Sequence, residues 1–445
     1  MSLYKNQQDT SIGIPPGIPY IVGNEAAERF SYYGMRAILV IFMTQHLMNA
    51  SGQRDVMTEQ EAQGYFHLFV ASVYLMPVFG ALLADFFWGK YRTIILLSMV
   101  YCLGHLSLVV DDTRLGLALG LGLIAIGAGG IKPCVSAHVG DQFGSHNLHL
   151  LGKVFGWFYF AINLGAFLAI LVVPWLLEHA GASAAFAAPG LLMLLATWVF
   201  WSGRRRFVKI PPSGMRLIKD LSERSVWPAL SKLALIYTLV AVFWALFEQI
   251  GSSWVLQAEK MGRRIGNVEL LPSQIQALNP LFIMLLTPCF SYGVYPFLSR
   301  YISLTALTKI AMGLLLTVVA FAIPAIIQMQ LDQGVQVHIV WQLPAYLLMT
   351  AAEVMVSITC LEYSYTEAPK STKSLVMAAY FFSISLGNLF TSAINFLIQN
   401  ADGSLKLSRA DYFWFFTGLM LATALLFMLL TRMLEKKDLA RTALR

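Results

Sequence analysis

Charged side chains stand inside stretches of this chain that are otherwise apolar. The first runs Glu25-Ala26-Ala27-Glu28-Arg29-Phe30-Ser31-Tyr32-Tyr33-Gly34-Met35-Arg36 and continues apolar from Ala37 to Met43. Glu25 and Glu28 are three apart and Glu25 and Arg29 four apart, so all three share one face of a helix. Arg29 to Tyr33 and Tyr32 to Arg36 repeat the spacing of four. Two acids sharing an arginine can exchange a proton, and an arginine fork suits a carboxylate. Further charges lie in other apolar stretches: Lys132 after Gly127-Ala128-Gly129-Gly130-Ile131, Glu248, and Glu353. Glu362, closer to the end of its stretch, reads as an interfacial anchor. No Gly-x-Ser-x-Gly, His-Glu-x-x-His or phosphate-loop motif occurs, so no enzyme is expected. Cys102, Cys134, Cys289 and Cys360 are scattered and lack the spacing of a metal site.

The elements that hold these charges are expected to be membrane-spanning helices. With 57% hydrophobic and 12% charged residues, the chain has too few charges to cover a water-soluble surface. Apolar stretches of spanning length, roughly 20 residues, recur throughout. We read twelve spans: 20–48, 64–87, 92–110, 115–138, 152–178, 184–202, 229–258, 273–298, 304–328, 338–364, 373–399 and 411–433. An ionisable group at mid-bilayer costs roughly 2.5–3.5 kcal/mol on insertion scales, so each calls for a partner or a task.

Most Lys and Arg fall in loops on one side, including Arg204, Arg205, Arg206, Lys209, Arg216, Lys219 and Arg224. By the positive-inside rule this places both termini in the cytoplasm. The net charge of +7 therefore encodes topology, and no nucleic-acid partner is expected. The fold class is all-α: a helical bundle 1–202, a basic linker 203–228 and a second bundle 229–445, six helices in each. In such a plan the first and seventh spans correspond, as do the fourth and tenth. Opposite charges at corresponding places suggest two gating pairs, Arg36 with Glu248 and Lys132 with Glu353. After the second span, Asp85 and the basic Lys90-Tyr91-Arg92 suggest a cytoplasmic latch. His105, His138, His146 and His338 read as structural or loop-borne.

At these residues the chain resembles the proton-dependent oligopeptide transporter (POT/PTR) family of the major facilitator superfamily. Glu-x-x-Glu-Arg-Phe-x-Tyr-Tyr is complete from Glu25 to Tyr33. The stretch Gly80–Gly104 and the run from Phe155 through Asn163 and Gly165 to Phe167 match two further signatures. Gly130-Ile131-Lys132-Pro133, Phe243-Trp244 to Glu248, Asn279-Pro280, and Glu353 before Glu362-Tyr363-Ser364-Tyr365 also match. Two departures stand out. Residues 203–228 are too short and polar for the two extra helices of many bacterial members, and Tyr380 stands where the eleventh span often places a Trp.

The resemblance implies a symporter importing di- and tripeptides with protons as the coupling ion and no cofactor. Its setting would be the plasma membrane (the inner membrane in a bacterium). It implies that Arg29 and Lys132 take the peptide carboxylate near Tyr32, Tyr33, Arg36 and Tyr74, and that Glu353, Asn163 and Asn279 take the amine. A dipeptide extends at most about 7 Å and a tripeptide about 11 Å, so fixed charge poles would select length. Trp244 and Tyr380 are read as walls for peptide side chains. Protonation of Glu25 or Glu28 would release Arg29 to the substrate. Histidine exchanges protons near neutral pH, and His67 is a second coupling candidate, facing an acid such as Glu269. Nitrate, an amino acid or a drug on the same scaffold, or a receptor that binds peptide without transport, are the alternatives.

Overall fold

The computed structural model describes residues 13–212, 227–367, 373–400 and 404–443. Apart from one two-stranded hairpin, Arg264–Ile265 with Val268–Glu269, its long elements are helices. The chain divides into two compact units, Met1–Ser222 with Ser273–Pro280, and Glu223–Pro272 with Leu281–Arg445.

The first unit is built from α1 (Ile18–Ile41), α2 (Glu59–Leu83), α3 (Lys90–Val110), α4 (Arg114–Asp141) and α5 (Leu151–Ser202). Their starts are legible in local chemistry. Pro19 occupies the first turn of α1, where its missing N–H costs nothing. Thr58 and Glu61 form a reciprocal capping box on α2. Thr113 caps α4 by accepting from the Gly116 N–H. Just before it, the Thr113 hydroxyl and N–H hold the Asp111 carboxyl below its usual range. The helix α5 runs through both the fifth and sixth expected spans and turns at Gly181, whose φ of 83° only glycine adopts readily. Tight α2–α4 packing follows from Gly80 and Gly130, whose backbones leave no room for a methyl group between them.

The second unit comprises α6 (Trp227–Phe247), α7 (Ser253–Glu259), α8 (Leu278–Cys289) from Leu281 onward, α9 (Tyr295–Leu298), α10 (Ala306–Asp332), α11 (Leu343–Glu353), α12 (Thr359–Glu367), α13 (Lys373–Ile398) and α14 (Arg409–Ala443). Many of these are segments of longer rods. The 3₁₀ turn Glu248–Gly251 joins α6 to α7, and a π turn, Val354–Ile358, joins α11 to α12. The expected seventh and tenth spans are therefore interrupted directly at their acidic residues. Such breaks free backbone groups and are tolerated at membrane depth only where protein or a cavity surrounds them.

Ten helical stretches among the described residues are long and apolar enough to cross a bilayer. One of them, Leu148–Arg205, is 58 residues long and holds the turn at Gly181. The first helix, Ile18–Ile41, is outside the ten because its charges lower its hydropathy. This is a multi-pass, all-α membrane fold, consistent with the expected count of twelve. The middle of the basic linker, 213–226, lies outside the described residues, and with it Arg216, Lys219 and Arg224.

Candidate functional site

In the first unit, close packing against α5 fixes the rotation of α1. A methyl group on Gly165 would stand 2.6 Å from the Ala26 carbonyl oxygen, and one on Gly34 would stand 2.7 Å from Val173. With those faces pressed together, the acid–arginine cluster turns into the unit. Glu25, Glu28 and Arg29 are all buried. Arg29 Nε lies 2.9 Å from Glu25 Oε1 and 2.5 Å from Glu28 Oε2. One guanidinium thus serves two carboxylates away from water, where removing one partner leaves an uncompensated charge.

Lys132 belongs to the same neighbourhood. The glycine run before it brings α4 against α2, and its ammonium sits 3.9 Å from the Tyr74 ring centroid and 5.0 Å from that of Tyr32. Such contacts hold a cation without neutralising it. Tyr32 also meets Tyr33 edge-on at 5.3 Å. One turn further along α1, the Arg36 guanidinium lies 5.3 Å from the Phe66 ring. His67 is fully buried beside that ring on α2. Asn163 is buried, and its side-chain amide donates to the Tyr159 carbonyl at 2.9 Å. That leaves the side-chain oxygen as the group suited to an ammonium.

Asn279, half-buried, opens α8 in the stretch that clusters with this unit. The stretch is held there by Gln274 Nε2 donating to the Leu171 carbonyl at 2.9 Å and Gln276 Nε2 to that of Ala37 at 3.3 Å.

Sequence reasoning missed the layer behind this cluster. His105 is buried on α3, its Nε2 2.8 Å from Ser31 Oγ, and its ring stacks on Tyr101 at 5.2 Å. The one available signal was Ser31 itself, a hydroxyl inside the α1 motif. His138, packed against Phe200 and Phe207, is structural as expected. Lys90 Nζ donates to both carboxylate oxygens of Asp141, at 2.7 and 2.9 Å, within the first unit.

In the second unit, Gly387 lets α13 approach α6 so closely that a methyl group there would meet Trp244 Cβ at 3.1 Å. Tyr380 and Trp244 are brought together by this contact, ring centroids 6.3 Å apart, and both are buried. The Tyr380 hydroxyl is 3.0 Å from Ser357 Oγ, in the π turn that follows Glu353. Glu248 is buried one turn beyond Trp244, while Glu353 is half-buried. Glu269 pairs with Arg263 across its own hairpin at 3.2 Å.

A family model described as "POT family" matches residues 91–227 and 226–415. Human "Solute carrier family 15 member 2" is 34% identical over 370 residues, which are 72% of this chain and 50% of that protein. Drosophila melanogaster "Peptide transporter family 1" is 35% identical over 383 residues, 74% of this chain and 50% of that one. The chain thus spans about half the length of the curated relatives it matches. The crystal structure of "the POT family transporter PepTSo" superposes with a TM-score of 0.87 at 33% identity, covering 95% of this chain and 99% of that one.

Proposed function

The chain belongs to the POT family, and on that premise we propose that it is a proton-coupled symporter importing di- and tripeptides. The observation that carries this reading is the buried pairing of two carboxylates with one guanidinium on α1. Glu25 and Glu28 together hold Arg29. Protonating one of them weakens that hold and frees donors for a peptide carboxylate, so proton and substrate are linked on one helix. Lys132, its ammonium 3.9 Å from the Tyr74 ring and 5.0 Å from that of Tyr32, supplies the second cation for that carboxylate. Tyr32, Tyr33, Arg36 and Tyr74 line the approach. The peptide amine goes to Glu353 with the side-chain oxygens of Asn163 and Asn279, and the Trp244–Tyr380 pair receives side chains. His67 is the second candidate for proton exchange.

Transport then proceeds by rocking of two six-helix bundles, 1–202 and 229–445, joined by the linker 203–228. Arg36 with Glu248 and Lys132 with Glu353 form pairs in one state and part in another. The protein works in the plasma membrane with both termini cytoplasmic, needing protons and no further cofactor. Uptake of a labelled dipeptide into proteoliposomes under an imposed inward proton gradient tests the reading. Accumulation above equilibrium that an uncoupler abolishes supports it. Accumulation of nitrate or a free amino acid in place of the dipeptide overturns the substrate.

A further inference from the structure

At the end of the first unit where α3 begins, the chain leaving α5 crosses back over the helix ends and is fixed there. Gln142 pins it by both polar atoms: its Nε2 donates to the Val208 carbonyl at 3.1 Å, and its Oε1 accepts from the Val208 N–H at 2.9 Å. Phe207 is buried against Tyr91, Phe200 and His138. This anchoring places Lys209 with its ammonium 4.2 Å from the Tyr91 ring. A shallow cleft of about 50 Å³ opens between Trp88–Arg92 and Lys209–Ile210. It has room for a few water-sized groups, and is too small for a peptide.

The charges around this cleft are unbalanced. Burial, Arg204 and Arg92 all push the Lys209 ammonium below its ordinary range. Among the described residues no carboxylate pairs with Arg92, Arg204 or Lys209. The cleft's fourth cation, Lys90, is already taken by Asp141. Exposed apolar rings mark the depth of the site. Phe87 and Trp201 are 69% and 46% exposed, and Arg204 lies 3.6 Å from the Trp201 ring. A Trp such as Trp201 sits at the headgroup level of a bilayer. A basic cleft between helix ends at that level suits a lipid phosphate.

We propose that the cleft lined by Tyr91, Arg92 and Lys209, with Arg204 at its edge near Lys209, binds the headgroup phosphate of an anionic phospholipid, whose acyl chains lie along Phe87 and Trp201. These cations, which no carboxylate pairs among the described residues, face the lipid phosphate, while the exposed rings give the chains a surface that a soluble anion does not use. The site is separate from the acid–arginine cluster and does not depend on which solute is carried.

Native mass spectrometry of the full-length protein, in detergent with equal phosphatidylglycerol and phosphatidylcholine, tests this. The unaltered protein is expected to retain phosphatidylglycerol preferentially. The triple variant Arg92→Gln, Arg204→Gln, Lys209→Gln should lose that preference by on the order of tenfold, given that each basic residue contributes to anionic-lipid binding. A charge-matched control, Arg300→Gln, Lys406→Gln, Arg409→Gln, should keep it. Equal retention of the two lipids by the unaltered protein overturns the proposal without recourse to any variant. So does an equal loss in the control, or displacement of the lipid by millimolar inorganic phosphate, which would make the cleft a site for a soluble anion.

Discussion

Glu25 and Glu28 approach Arg29 from the same helix, so neutralising either leaves the guanidinium with one carboxylate instead of two. Glu25→Gln and Glu28→Gln should each lose uphill dipeptide uptake while counterflow, which needs no net proton movement, survives. Unchanged uphill uptake in both would remove the α1 cluster from coupling. Lys132 contributes differently, as a cation against the Tyr74 and Tyr32 faces. Lys132→Met should raise the KM for dipeptide roughly tenfold, the scale of one charge-assisted hydrogen bond. A KM unchanged within error would assign Lys132 to structure alone.

The helices position these groups through contacts that only glycine permits. Gly165→Val would drive a side chain into the Ala26 carbonyl, and the expected cost is about 1–3 kcal/mol of overpacking. Its thermal transition in detergent should fall below that of the unaltered protein. Gly122→Ala, where nothing lies within 4 Å, should leave the transition unchanged or raise it. Much at this scale was legible beforehand. Hydropathy located the apolar helices, but the expected second span began at 64, short of the capping box that Thr58 and Glu61 form.

The 3₁₀ turn at Glu248 and the π turn after Glu353 were not legible. Each falls inside a stretch expected as one continuous span, and a local change of this type is decided by what packs around it. The i,i+4 spacing exposed the Glu25–Arg29 pair. The spacing of three put Glu28 on the same face, whereas the distances of the Tyr74 and Tyr32 rings from Lys132 depend on side-chain direction and on how α2 and α4 meet. His105 escaped because its partner, Ser31, is 74 positions away, and no spacing rule reaches so far.

For the molecule as a whole, the proposal makes transport depend on charge pairs that form and part. Arg36→Glu and Glu248→Arg should each lower transport by an order of magnitude or more, because each places like charges together. The double exchange should recover a measurable share, and a double variant no better than either single one would dissolve that pair. The central claim is that proton and peptide move together through this chain. The most direct test records luminal pH in proteoliposomes with equal pH inside and out when a dipeptide is added outside. The account predicts luminal acidification that follows peptide entry and disappears in Glu28→Gln. Peptide entry with no change in luminal pH would contradict it.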